Sequence, residues 1–164
     1  MKQEIQSAAN FLVDLLTSST HNLIVGERQL ESFKVAVVKV LRQRYRGHWF
    51  PENPFKGSGY RCIRINTKMD PIIAQAVEMC GLSSDLIHQA FPSELTVWID
   101  PREVSYRIGD ESGNICMLYE HKSNEKEGLD TQSCKPWKPN SSNSTAMTDN
   151  TITMFGETIW STEL

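Results

Sequence analysis

Two groups of residues in this 164-residue chain have the side chains for catalysis. The first is a late cluster of acids, Asp100, Glu103, Asp110 and Glu111. Paired carboxylates can hold Mg²⁺ or serve as general acid and base. Asp100, however, precedes Pro101 and suits the first position of a type I turn, and Asp110 and Glu111 fall in a polar turn. No HxH, DxD or ExxH pattern accompanies them, so the cluster lacks the nucleophile, base and orienter of a hydrolytic site. The second group is Cys62 with His48, a thiol and a base. Cys62 falls within a strand rather than at a helix N-terminus, where thiolates are favoured, and a buried structural cysteine is the expected state. Gly57-Ser58-Gly59 lacks the third glycine and the preceding strand of a dinucleotide fingerprint. The residues predict no enzyme, no cofactor and no metal.

A different chemistry is suggested by charge. Residues 34–69 carry nine Lys or Arg (Lys34, Lys39, Arg42, Arg44, Arg46, Lys56, Arg61, Arg64 and Lys68) against one acid, Glu52, although the whole chain carries a net charge of −3. Tyr45, Trp49, Phe50, Phe55 and Tyr60 interleave with them. Basic plus aromatic is the composition of single-strand nucleic-acid platforms, so direct nucleic-acid binding through this region is the alternative reading. Against it, ring residues at fixed strand positions are absent, and Arg42, Arg44 and Arg46 suit a helix C-terminus for electrostatic reasons alone.

The elements that must position these residues follow from periodicity. Residues 2–17 place Ile5, Ala8, Ala9, Leu12, Leu15 and Leu16 on one helical face. Leu12 to Leu16 reads L-x-x-L-L, a receptor-docking pattern, but the same leucines form the core stripe, and burying each is worth about 1.5–3 kcal/mol. Residues 27–45 form a second helix, expected antiparallel to the first. Tyr60 to Ile65 reads as a strand. Asp70-Pro71 is an N-cap with proline at the first helical position, Gly81 stops that helix, and Ser83 caps another short one. Strands at 94–100, 104–108 and 115–119 follow. The fold class is α+β, with an N-terminal antiparallel helix pair and short helices packed on a small, mainly antiparallel sheet.

From Ser123 the sequence is rich in Ser, Thr, Asn, Lys and Glu and reads as a low-complexity, disordered tail. Its last apolar cluster, ITMFGETIW (Ile152 to Trp160), is either a weak docking peptide or a segment that collapses onto the domain. Cys62, Cys80, Cys116 and Cys134 form no C-x-x-C, and no secretory signal or membrane-length apolar run is present. Four reduced thiols in cytoplasm or nucleus are expected.

One strand breaks its own pattern. In ELTVWIDP, Leu95, Val97 and Ile99 share a face, which puts Trp98 on the other with Thr96 and Asp100. An exposed Trp beside a charge has the composition of an interface hot spot. A loop such as HWFPENPF folded over that face would equally account for it.

Two long strings decide further. YRGHWFPENPFKGSGYRCIRINTKMDPII (Tyr45 to Ile73) and FPSELTVWIDPREVSYRIG (Phe91 to Gly109) resemble the two signature boxes of the BTG/Tob antiproliferative family, in order and spacing. SGNICMLYE (Ser112 to Glu120) resembles a third box of its short-tailed members. The resemblance implies a BTG/Tob-type adaptor domain over residues 1–120 with a tail over 121–164. It implies a monomeric, non-enzymatic adaptor, without a membrane, in cytoplasm and nucleus. Such an adaptor binds the DEDD-type catalytic subunit of the cytoplasmic mRNA deadenylase complex, promotes poly(A) shortening and restrains proliferation. By resemblance the deadenylase contacts are Tyr60, Trp98 and Asp100. A poly(A)-binding-protein contact would involve Ser112, Gly113, Asn114, Ile115, Cys116, Met117, Leu118, Tyr119 and Glu120. Transcription factors and a protein arginine methyltransferase are further implied partners. The chain departs from the pattern at Arg102, where D-P-[YF]-E-V has an aromatic, at Phe55, and in a longer loop between the first two helices.

Overall fold

The helical and alternating patterns become helices and strands close to where the sequence puts them. The computed structural model describes residues 1–19 and 25–121. Helices α1 (Lys2–Ser19) and α2 (Glu27–Arg44) pack together. Leu12, Leu15 and Leu16 are buried, so the L-x-x-L-L leucines belong to the core. Helix α3 (Pro71–Met79) starts as Asp70-Pro71 dictates. Asp70 Oδ1 accepts the Ile72 N–H at 2.8 Å, while Oδ2 accepts the Arg64 N–H at 2.9 Å, so one cap also ties α3 to the sheet. Gly81, just past the end of α3, has φ 62°, a conformation that costs glycine little. Helix α4 spans Ser84–Ala90.

The strands β1 (Cys62–Asn66), β2 (Glu94–Asp100), β3 (Glu103–Ile108) and β4 (Ile115–Glu120) form one antiparallel sheet in the order β1-β2-β3-β4. Ile63, Ile65, Leu95, Val97, Ile99, Val104 and Tyr106 face the helices and are buried. The Phe11 and Tyr106 rings meet at 4.3 Å, joining α1 to β3.

Two local expectations need correction. Tyr60 is not in a strand: Ser58–Arg61 forms a 3₁₀ turn, and β1 begins only at Cys62. Gly57, at φ 76°, reverses the chain there, and Ser58 and Arg61 are both drawn onto Asp100. The Asp100–Glu103 turn is not type I either. Arg102 has φ 75°, which excludes type I at the third position and fits type II. Pro101 is compatible with both types, so sequence could not separate them. The left-handed geometry accompanies a hydrogen bond from the Arg102 N–H to Glu4 Oε1 of α1 at 3.2 Å.

Cys62 and Cys80 are free thiols, but Cys116 is disulfide-bonded, against the expectation of four reduced thiols. The expectation rested on compartment signals, which carry no information on geometry. The low-complexity tail, its ITMFGETIW cluster and the lengthened part of the α1–α2 loop lie outside the described residues. No helix among the described residues is long and apolar enough to cross a membrane.

Candidate interaction site

The strand register sets out the sheet face opposite the helices. One cross-strand row runs Cys62, Trp98, Ser105, Met117, and the next runs Arg64, Thr96, Arg107, Ile115. Trp98 is half-buried, and its cross-strand neighbours, Cys62 and Ser105, are small. The Arg107 guanidinium carbon lies 5.6 Å from its ring centroid, within cation–π range. The β4 end of this face is apolar and open, with Ile115 60% and Met117 42% exposed.

Tyr60 reaches the surface from the 3₁₀ turn and is 40% exposed. Its ring stacks on His48 at 4.0 Å, with the Arg44 guanidinium 4.8 Å from the centroid. His48 is therefore a platform for Tyr60. Burial, helped by the nearby Asp70 carboxylate, pushes the Cys62 thiol up to about 11, so it is no nucleophile at neutral pH.

What holds Tyr60 there is Arg61, which is fully buried. Its Nε donates to Ile99 O at 3.2 Å and Asp100 Oδ1 at 3.0 Å. Nη1 donates to His48 O at 2.9 Å and Lys56 O at 2.8 Å. Nη2 donates to Pro54 O and Asp100 Oδ1, each at 2.5 Å. All five guanidinium N–H groups are thus used. Three of the acceptors are carbonyls of the Pro/Gly-rich loop that precedes the turn, which has no ladder of its own to satisfy them. Tyr45 completes the clamp, donating its hydroxyl to Arg61 O at 2.7 Å. Burial raises the Tyr45 phenol well above its ordinary range and keeps it a donor.

Asp100 sits at the centre of this network. One oxygen takes Arg61, and the other accepts Ser58 Oγ–H at 2.6 Å, leaving the side chain 18% exposed. The carboxylate thereby fixes the turn carrying Tyr60 to the end of the strand carrying Trp98. The other late acids do not join it. Asp110 accepts both the N–H and Oγ–H of Ser112, closing the turn before β4. No acid or thiol cluster suited to a metal occurs among the described residues.

The third-box residues divide by phase. Ile115 and Met117 share the Trp98 face, whereas Cys116, Leu118 and Tyr119 are packed against the core. Tyr119 donates to Gln3 Oε1 of α1 at 2.6 Å. Ser112 and Asn114 are exposed in the turn, as is Glu120 at the strand end. Gly113 has no room for a side chain, because a Cβ there would come within 2.7 Å of Ile108 O. Arg102 is exposed at the third position of the type II turn, and Phe55 is 88% exposed in the clamped loop.

In the sequence Arg61 reads as one more cation of a basic stretch, yet its phase could reveal its role. It stands two residues before Ile63 and four before Ile65, on the buried side.

Comparison with known proteins agrees with the two boxes. A family model described as BTG family matches residues 1–119. "Protein BTG2" of Homo sapiens is 54% identical over 120 residues, 73% of this chain and 73% of that protein. "Protein BTG1" of Gallus gallus is 53% identical over 120 residues, 73% of this chain and 68% of that protein. "Protein Tob1" of Rattus norvegicus is 44% identical over 125 residues, but those cover only 33% of it. Among solved structures, a doubly substituted form of the C. elegans FOG-3 BTG/Tob domain has the same fold, with a TM-score of 0.62 at 18% identity over 79% of this chain and 91% of that one. The chain belongs to the BTG/Tob antiproliferative family.

Proposed function

We propose that this protein is a non-enzymatic adaptor that binds the catalytic subunit of the mRNA deadenylase complex through the Tyr60–Trp98 side of its sheet. By tethering the exonuclease to messages it raises the enzyme's local concentration at the poly(A) tail, and so restrains proliferation from cytoplasm and nucleus. The observation that carries this reading is the Asp100 carboxylate. It ties the turn that carries Tyr60 to the end of the strand that carries Trp98, and both rings are partly exposed. Rigid aromatic anchors are the residues that dominate binding energy at interfaces. In this reading Tyr60 and Trp98 touch the partner, while Asp100 acts mainly by positioning them. Ile115 and Met117 are exposed on the same face, which supports assigning a third-box contact with poly(A)-binding protein to them. Transcription factors and an arginine methyltransferase remain secondary candidates.

Direct nucleic-acid binding by the basic stretch has less support. Its cations are divided: Lys34, Lys39, Arg42 and Arg46 share the outer face of α2, but Arg61 is buried, Arg44 lies over Tyr60, and Lys56 lies over Phe50.

The test is recovery of the deadenylase subunit on immobilised full-length chain. Trp98→Ala should weaken binding by about 2 kcal/mol or more, roughly 30-fold, if it is a hot spot. Its melting temperature should stay close to wild type, because the ring is only half-buried. Equal recovery by both proteins would sink the proposal.

A further inference from the structure

The water-facing side of α2 is cationic. An open groove of about 580 Å³ runs along it, lined by Lys34, Lys39, Arg42 and Arg46 with Val35 and Val38, and Glu31 is the one acid in its wall. A second groove of about 610 Å³ shares Glu31, Val35 and Lys39 with it and adds Met79 of α3. Val35 is 59% exposed and Met79 46%, so apolar surface lies open between the charges. Among the described residues the ion pairs are Met1–Glu4 and Arg61–Asp100, and neither engages these cations. The groove therefore fits an occupant that is both acidic and apolar.

The chain carries such a segment. Residues 139–164 contain Asp149, Glu157 and Glu163 and no Lys, Arg or His. Within them ITMFGETIW sets Glu157 between Phe155 and Trp160, flanked by Ile152, Met154 and Ile159. The segment lies outside the described residues, which end at His121. Even counted only from Cys134, the chain's remaining cysteine besides Cys62, Cys80 and the disulfide-bonded Cys116, the 18 residues 135–152 can span up to about 60 Å when extended. That exceeds any distance across a domain of about 120 residues, whose radius of gyration is near 14 Å.

We propose that Ile152–Trp160 docks in cis in the α2 groove. Its aromatic and aliphatic side chains cover Val35 and Val38, and Glu157 lies among Lys34, Lys39 and Arg42. Tethering on the same chain supplies an effective concentration in the millimolar range, so a contact too weak to hold between separate molecules is occupied here. The charged part of the contact weakens as salt shortens the Debye length from about 10 Å at 0.1 M to about 3 Å at 1 M.

Zero-length carbodiimide cross-linking of the full chain, with peptide mapping, tests this. The expected product joins Glu157 to Lys34 or Lys39 within one molecule. It should disappear in Glu157→Gln and fall several-fold in Phe155→Ser/Trp160→Ser and in 1 M salt. Amide NMR of the same double variant should move signals of residues 31–46 and leave those of Tyr60, Trp98 and β4 in place. A link confined to other lysines, such as Lys56 or Lys68, overturns the proposal, as does an unchanged α2 spectrum. Mixing isotopically light and heavy protein separates the remaining occupants: a link found only between copies means a second molecule fills the groove, and docking in cis is wrong. If an added acidic, aromatic peptide binds wild type and double variant equally, the groove is empty in the free chain and docking in cis is again wrong.

Discussion

Arg42 and Arg61 belong to one basic stretch of sequence and meet opposite environments. Arg42 stands on the outer wall of α2 in open solvent, with Lys34, Lys39 and Arg46 for neighbours. Arg61 has no solvent exposure, and its guanidinium is saturated by one carboxylate and four backbone carbonyls. A buried cation costs several kcal/mol to desolvate and survives only when fully paired and hydrogen-bonded, about which an exposed cation is indifferent. The contrast teaches that a count of charges along a chain says little about a shared surface. Arg61 organises a loop, and the α2 cations leave their helix free to meet something else.

The largest expected effect comes from making Arg61 behave like a surface cation. Arg61→Lys keeps the charge but offers three rotatable donors where five in a fixed fork are needed. It should lose about 3–5 kcal/mol, because at least two of the four carbonyls lose their donor at about 1–3 kcal/mol each, and the unfolding midpoint in denaturant measures it. A lysine that leaves the midpoint unchanged would mean that the loop holds itself, and the distinction between the two regions would collapse.

Asp100→Asn attacks the same clamp from the other side and should cost less. The amide still offers one acceptor oxygen but removes the charge and presents an N–H₂ group toward Arg61 or Ser58. About 1.5–3 kcal/mol is expected, the worth of hydrogen bonds to a charged group. Deadenylase recovery should fall in parallel, since the Tyr60 turn loses its tie to β2. A stable Asp100→Asn that no longer binds would instead mean that the carboxylate touches the partner directly.

The sequence made most of the scaffold legible because the scaffold rests on periodic patterns. Leu12, Leu15 and Leu16 recur at helical spacing, Leu95, Val97 and Ile99 alternate, and Asp70-Pro71 caps with a known geometry. What it hid are contacts between residues far apart in the chain. Asp100 meets Ser58 and Arg61, separations of 42 and 39 residues, and Glu4 meets Arg102 across 98. No local pattern encodes these, so Asp100 reads as a turn residue on its own and as a contact residue by resemblance. Trp98 is legible as an anomaly of phase, because alternation is local, whereas its Arg107 neighbour on β3 is not.

Glu4 offers a smaller, pH-dependent version of the comparison, since it is an acid held by in-chain partners. Burial works to raise its pKa, but hydrogen bonds from the N-terminal ammonium and backbone, including the Arg102 N–H, outweigh it and leave the value lowered. A depressed acid contributes stability above its unfolded pKa and loses it as pH falls through the folded one. Wild-type stability should therefore show a Glu4-dependent decline on acidification below about pH 4.5, the ordinary carboxylate value. Glu4→Gln should cost about 1 kcal/mol at neutral pH, the net worth of one hydrogen bond, and remove that share of the acid dependence. Parallel denaturant melts at neutral and acid pH read both.

The smallest effect is expected where the charge density is highest. Lys39 sits on the α2 groove wall without an ion pair among the described residues. Exposed charges of this kind typically contribute less than about 1 kcal/mol, and alanine is the best helix former. Lys39→Ala should therefore shift stability by no more than about 0.5 kcal/mol, as surface substitutions usually do, and in either direction. The residue that changes nothing in a melt should still change what the groove holds. Removing one of the groove's cations weakens the attraction for any acidic occupant while leaving the fold intact. A destabilisation as large as that of Asp100→Asn would reverse the argument: α2 would then be clamped in-chain as Arg61 is, and its outer face would not be free to dock anything.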